Sequence, residues 1–232
     1  MIENYSFAQQ AAIKERTILK NVYIWMSAGL FLTAVVAKLF VQTSLFIPFV
    51  SNQLLFFAVI IAEFALVIRL SSRIMTMSVS QAAGSFAAYS ILNGITLSSI
   101  FVIYRIGTIY TAFFVTAGTF AAMSLWAVTT KRDLSGLGHF LMMGLIGIII
   151  ASVVNIFIGS STLYFLISYG GVAVFTLLTA YDTQRIKVMS RQMSSNSDEA
   201  TFTRLSIMGA LRLYLDFINM FLFILRIFGR RS

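Results

Sequence analysis

Seven separate apolar runs, each about 20 residues long, constrain this chain more than any other feature. A helix rising about 1.5 Å per residue needs roughly that length to cross the hydrocarbon of a bilayer. The runs lie near residues 22–41, 53–71, 82–104, 107–129, 137–158, 162–182 and 205–228. The chain is 59% hydrophobic and 11% charged, against about 45–50% and about 25% in soluble domains. The sequence therefore predicts an all-α integral membrane protein: one seven-helix transmembrane domain over 22–229, preceded by a cytoplasmic segment over 1–21. That segment is polar and mixed in charge, with Glu3, Lys14, Glu15, Arg16 and Lys20. The run from Val22 to Val41 is too long for a signal peptide, whose apolar region spans about 7–15 residues.

Most connections are short, which makes neighbouring spans antiparallel. The longest, Thr183 to Arg204, contains SSNSDEAT and reads as a mobile, exposed loop. Placing the N-terminus inside puts eleven basic residues on the cytoplasmic side, from Lys14 to Arg204, against five on the other: Lys38, Arg105, Arg226, Arg230 and Arg231. The excess of Lys and Arg favours that orientation. It suits a bacterial inner membrane, with the C-terminus outside. The terminal arginines pull the other way, toward a last segment that dips in and returns. The net charge of +9 falls between the apolar runs, so its natural partner is the anionic bilayer surface and not nucleic acid. There is no cysteine, and His139 is the only histidine. Thiolate chemistry, HExxH metal sites and imidazole-based triads are excluded, and no cofactor is expected.

Ionisable residues inside the spans mark functional sites by default. In the second span Glu63 sits deep, while Arg69 and Arg73 approach the cytoplasmic end, where long basic side chains snorkel. Glu63 cannot snorkel far, which predicts an interior, hydrogen-bonded role. The third span carries Ser85, Tyr89, Asn93 and Thr96 as one polar stripe at helical spacing. The stripe fits either a wet cavity or hydrogen bonding between helices, as do Asn155, Thr176 and Thr179. In the last span Asp216 has Arg212 four residues before it and Asn219 three after. Asp182 ends the sixth span, with Arg185 one turn on. Each aspartate has a local arginine to pair with, or the two carboxylates face each other from neighbouring helices. The second arrangement needs helix bending or offset, because Asp182 lies nearer the end of its span than Asp216 does.

The segment LRLYLDFINMFLFILRIFG, preceded by a span ending in YDTQRIK, resembles the transmembrane Bax inhibitor motif family, the Bax inhibitor-1-like membrane proteins. NGITLSSIF, KRDLSGLG and VNIF are similar to it as well. The resemblance covers most of the chain from the second span onward and points to a bacterial member. It implies two three-helix layers around a central C-terminal helix. It also implies a passive calcium leak regulated by pH through two aspartates, matched here by Asp182 and Asp216. A second-helix arginine acts in the family as a latch to the first aspartate, matched best by Arg73, with Arg69 nearby.

Two carboxylates within hydrogen-bond reach share a proton, because both cannot ionise cheaply. Losing that proton would part the last two helices; adding one to Asp182 would release Arg73. The resemblance favours opening on acidification. Calcium takes about 6–8 oxygen ligands, so two aspartates with Asn219, carbonyls and water make a weak passage site for a permeant ion. An aspartyl protease is disfavoured, because Asp216 follows Tyr-Leu where such enzymes have G-x-G-D and the only proline is Pro48. No G-x-S-G element suggests a serine rhomboid. Two alternatives remain: a proton-coupled transporter, and a regulatory interaction protein that modulates membrane quality control, with a membrane protease as partner.

Overall fold

The computed structural model describes residues 2–192 and 198–229, with side chains from Lys14 onward; Arg230 and Arg231 lie outside the described residues. Every element among them is helical: α1 (Ile2–Phe40), α2 (Phe46–Ser51), α3 (Gln53–Arg73), a 3-10 turn (Ile74–Thr76), α4 (Val79–Leu97), α5 (Ile100–Ile103), α6 (Ile106–Thr129), α7 (Leu137–Ile158), α8 (Ser161–Gln192) and α9 (Glu199–Phe228). Seven of these, some extended by a neighbouring turn, are long and apolar enough to cross a membrane. The protein is an all-α integral membrane protein. Its last helix is the most deeply buried of the seven, at 72% of its apolar window against 6–44% elsewhere. Large apolar side chains such as Leu54, Ile156 and Phe157 point outward, which in a bilayer places them against lipid.

Two boundaries differ from the sequence reading. The polar N-terminal segment is continuous with the first span, as a single helix from Ile2 to Phe40. Its inward face, Glu15, Ile18, Leu19, Val22 and Met26, keeps a helical period across the polar-to-apolar junction. The expected loop Thr183–Arg204 is largely helix, since α8 runs on to Gln192 and α9 begins at Glu199. Thr179, Thr183, Ile186 and Ser190 are buried at intervals of three and four residues, so the charged stretch is the wet face of an amphipathic helix. An ion pair between Arg191 and Glu15 holds this extension, and Lys14 lies over the Phe202 ring at 5.5 Å.

The described chain divides into two compact units. The first comprises Met1–Ile103 and Val188–Tyr214, the second Tyr104–Lys187 and Leu215–Ser232. In the first unit α1 packs on α4 at very short range. A Cβ on Gly94 would lie 2.7 Å from the Thr33 carbonyl oxygen and 2.8 Å from Val36 Cβ. Phe40 meets Phe46 and Phe49 edge-on, closing the turn after α1. Helix α3, by contrast, buries only Glu63 and Leu70.

In the second unit Phe217 of α9 packs edge-on to Phe113 and Phe120 of α6, with ring centroids 5.7 and 5.6 Å away. Phe223 stacks on Phe175 of α8 at 5.9 Å and lies so close to Gly171 that a Cβ there would be 2.5 Å from its ring. The Arg226 guanidinium lies over Tyr164 and Phe223, at 5.9 and 5.1 Å from their centroids. These contacts seat the C-terminal half of α9 largely through aromatic rings, beginning at Phe217, the residue after Asp216.

Candidate functional site

The polar groups of the first unit converge on one buried chain. Asn93 of α4 donates through Nδ2 to Glu63 Oε2 at 3.3 Å, and Thr96 Oγ1 donates to Glu63 Oε1. On its other side Asn93 accepts through Oδ1 from the Tyr214 hydroxyl of α9 at 3.0 Å. That hydroxyl lies 2.7 Å from Thr33 Oγ1 of α1, which donates to the Ser90 carbonyl at 2.9 Å. Four helices thus meet through side chains that are largely buried. Asn93 and Glu63 are each about one-tenth exposed, and Tyr214 not at all. Phe86 and Tyr89 pack edge-on to the Tyr214 ring at 5.8 and 5.5 Å, shielding the hydroxyl from lipid.

The interior, hydrogen-bonded role expected of Glu63 is what the structure shows. Of the third-span stripe, Asn93 and Thr96 bond Glu63, while Ser85 is half-buried and outside the chain. Tyr214 was not among the predicted residues. Its signal was present: tyrosines of membrane helices belong at the interfaces, so one near the middle of an apolar span needs a partner for its hydroxyl.

The aspartates lie elsewhere. Asp216 is buried, at 4% exposure, and Asp182 is half-buried. Both belong to the second unit, and both are engaged by polar or electrostatic neighbours. Asn219 is turned back on its own helix, donating to the Leu215 carbonyl at 2.8 Å, and Arg212 is half-buried in the first unit. Arg73 is the last residue of α3, in the first unit, and its side chain is exposed, as is that of Arg69. Thr179 bonds its own helix at Phe175, Thr176 reaches Met220 Sδ at 3.9 Å, and Asn155 accepts from the Ser160 N–H. Among the described residues no three His, Cys, Asp or Glu side chains cluster as a metal site.

The YDTQRIK and KRDLSGLG stretches meet each other. Gln184 accepts from the Leu134 N–H at 2.7 Å and donates to the Arg132 carbonyl at 2.8 Å, matching the loop backbone as a neighbouring strand would. Lys187 Nζ donates to the Val128 carbonyl at 2.6 Å, and Leu134 is buried with Ala127 and Ala180. Within the loop the Ser135 backbone N–H and hydroxyl hold the Asp133 carboxyl below the usual carboxylate range. Gln184→Ala leaves the Leu134 N–H without its acceptor, which costs about 1–3 kcal/mol. The expected result is amide exchange at Leu134 faster by about 5- to 150-fold, read by hydrogen–deuterium exchange, with no change at helix-interior amides of α6.

Comparison with known proteins matches residues 15–232 to the family described as inhibitor of apoptosis-promoting Bax1. The chain is 48% identical over 217 residues to the inner membrane protein YbhL of Escherichia coli (strain K12), covering 93% of this chain and 92% of that protein. It is 43% identical over 232 residues to an uncharacterized protein of Borreliella burgdorferi, covering 100% and 99% of the two chains. An uncharacterized protein of Deinococcus radiodurans is 40% identical, again over 232 residues, with 100% and 98% covered.

Proposed function

Since the chain belongs to the Bax inhibitor-1-like membrane protein family, we propose that it is a pH-sensitive passive calcium leak channel in which Asp182 and Asp216 form the polar step of the pathway and its proton sensor. The observation that supports this most is Asp216 itself. It lies 4% exposed in a helix whose other buried residues from Leu205 to Leu225 are almost all apolar, and a carboxylate at that depth costs several kcal/mol unless it faces protein, water or an ion. Ionisable residues at such positions characteristically line ion and proton paths. Calcium is the cargo, and the activity needs no catalytic residue or bound cofactor. The likeness to an Escherichia coli inner membrane protein supports a bacterial inner membrane, and the basic residues between spans favour the N-terminus in the cytoplasm.

The test is calcium entry into liposomes carrying the purified protein, followed with a trapped dye at several pH values. Asp216→Asn keeps the side chain's shape and removes its titration. The expected result is a flux that rises on acidification in the unsubstituted protein and loses that dependence in the variant. Flux with unchanged pH dependence in Asp216→Asn would discard the aspartate sensor. No flux above empty liposomes from folded protein would instead favour a regulatory partner of membrane quality control, sought by crosslinking.

A further inference from the structure

The chain Glu63–Asn93–Tyr214–Thr33 has more contacts than hydrogens. Six side-chain contacts link it: Glu63 to Asn93 and to Thr96, Asn93 to Tyr214, Tyr214 to Thr33, Thr33 to the Ser90 carbonyl, and Thr96 to the Leu92 carbonyl. Asn93, Thr96, Tyr214 and Thr33 supply one hydrogen each to this set, because a hydroxyl has one and the amide turns only one edge to each neighbour. With Glu63 ionised, the donors nearest it point toward it, Tyr214 to Asn93 and both Asn93 and Thr96 to the carboxylate, while Thr33 donates to the Ser90 carbonyl. The Tyr214–Thr33 and Thr96–Leu92 contacts then go without a hydrogen.

A fifth hydrogen changes the pattern. A proton on Glu63 Oε2, with a half-turn of the Asn93 amide, reverses the row from Glu63 to Tyr214. Glu63 donates to Asn93 Oδ1, Asn93 Nδ2 to Tyr214, Tyr214 to Thr33, and Thr33 to the Ser90 carbonyl, while Thr96 still donates to Glu63 Oε1. Only the Leu92 contact is left over. The proton comes from water, the Tyr214 hydroxyl hydrogen turns from Asn93 to Thr33, and no covalent bond changes apart from the new O–H on Glu63. The titratable groups facing Glu63 are phenols, Tyr89 of α4 and Tyr214 of α9, and no ion pair reaches it among the described residues. Arg69 and Arg73 on its own helix are exposed. Among the described residues no cation pairs with it, so a proton is what can remove the charge of this buried carboxyl.

We propose that Glu63 is a proton-binding site separate from the aspartates, and that its protonation sets the direction of a four-helix hydrogen-bond chain ending at Thr33. This site does not depend on the calcium reading. It gives α3 a reason to dock: with only Glu63 and Leu70 buried, and no hydrophobic drive between helices in lipid, its hold on α4 rests on hydrogen bonds that change with one proton.

The test is infrared difference spectroscopy of the reconstituted protein, titrated from acid to alkaline pH. The expected result is a protonated-carboxyl C=O band that is lost in Glu63→Gln, shifts in frequency in Asn93→Ala, and persists in the double variant Asp182→Asn/Asp216→Asn. The amide of Glu63→Gln keeps the donor and acceptor of the neutral acid, so that variant should fold. If it does not, Asn93→Ala decides alone, because a shifted band requires the Glu63–Asn93 bond. A band untouched by either substitution, or one removed entirely by the double aspartate variant, would overturn the assignment. Since the readout is a carboxyl vibration, it stands or falls separately from calcium flux.

Discussion

Truncating Tyr214 to alanine is expected to cost about 3–5 kcal/mol of stability, read as an early unfolding transition of the purified protein in micelles. Lipid tails are as apolar as the protein interior, so burial itself contributes little in a bilayer; close packing and hydrogen bonds decide. Tyr214 supplies both. Its side chain is fully buried, two aromatic rings pack edge-on to it, and its hydroxyl bridges α1 and α4. The phenylalanine variant separates the two contributions. Tyr214→Phe keeps the ring and loses the bridge, for a cost nearer about 1 kcal/mol. Equal losses in the two variants would mean that the hydroxyl does all the holding; negligible losses in both would mean that the ring is not tightly packed.

Gly94→Ala is expected to cost about 1–3 kcal/mol, although it adds one methyl group to a helix and alanine is the better helix former. The reason is what the methyl meets. Thr33 O is backbone and Val36 Cβ is the root of a side chain, so neither can rotate away and α1 must move as a body. That motion also stretches the Thr33 bond to the Ser90 carbonyl. Gly84→Ala is the control, since a Cβ there meets nothing within 4 Å. Thermal unfolding of the pair should show a lowered transition for Gly94→Ala and an unchanged or raised one for Gly84→Ala. Parallel behaviour would show that α1 and α4 are not in close contact at this point.

The seven spans were legible because bilayer thickness sets a length that loops do not imitate. Glu63 was legible as an interior residue for a related reason: a short acidic side chain in mid-span has nowhere to go but inward. Its partner in α4 was visible as part of a stripe, but a stripe does not say which helix it faces. Tyr214 went unread because its ring counts as apolar in any hydropathy pattern, while its hydroxyl, one atom, joins the helices. The stretch after Asp182 was misread for the opposite reason. Arg185, Lys187 and Arg191 made it look like loop, whereas the buried positions between them, Thr183, Ile186 and Ser190, carry the helical period. Asp182 and Asp216 could be picked out as costly residues. Which neighbours engage them depends on helix offsets that one-dimensional spacing does not contain.

Helix α3 has 21 residues, which at about 1.5 Å each is about the thickness of a bilayer's hydrocarbon core. Most of its side chains are exposed and only Glu63 and Leu70 are buried, so neighbouring helices hold its tilt at few points. A membrane a few ångströms thinner or thicker tilts or strains such a helix, and the axis about which it swings passes near its one polar anchor. Glu63 is therefore where a change in lipid thickness would be felt as a change in hydrogen-bond geometry, so the mechanics of the membrane reach the protein interior through the buried carboxyl that α3 carries.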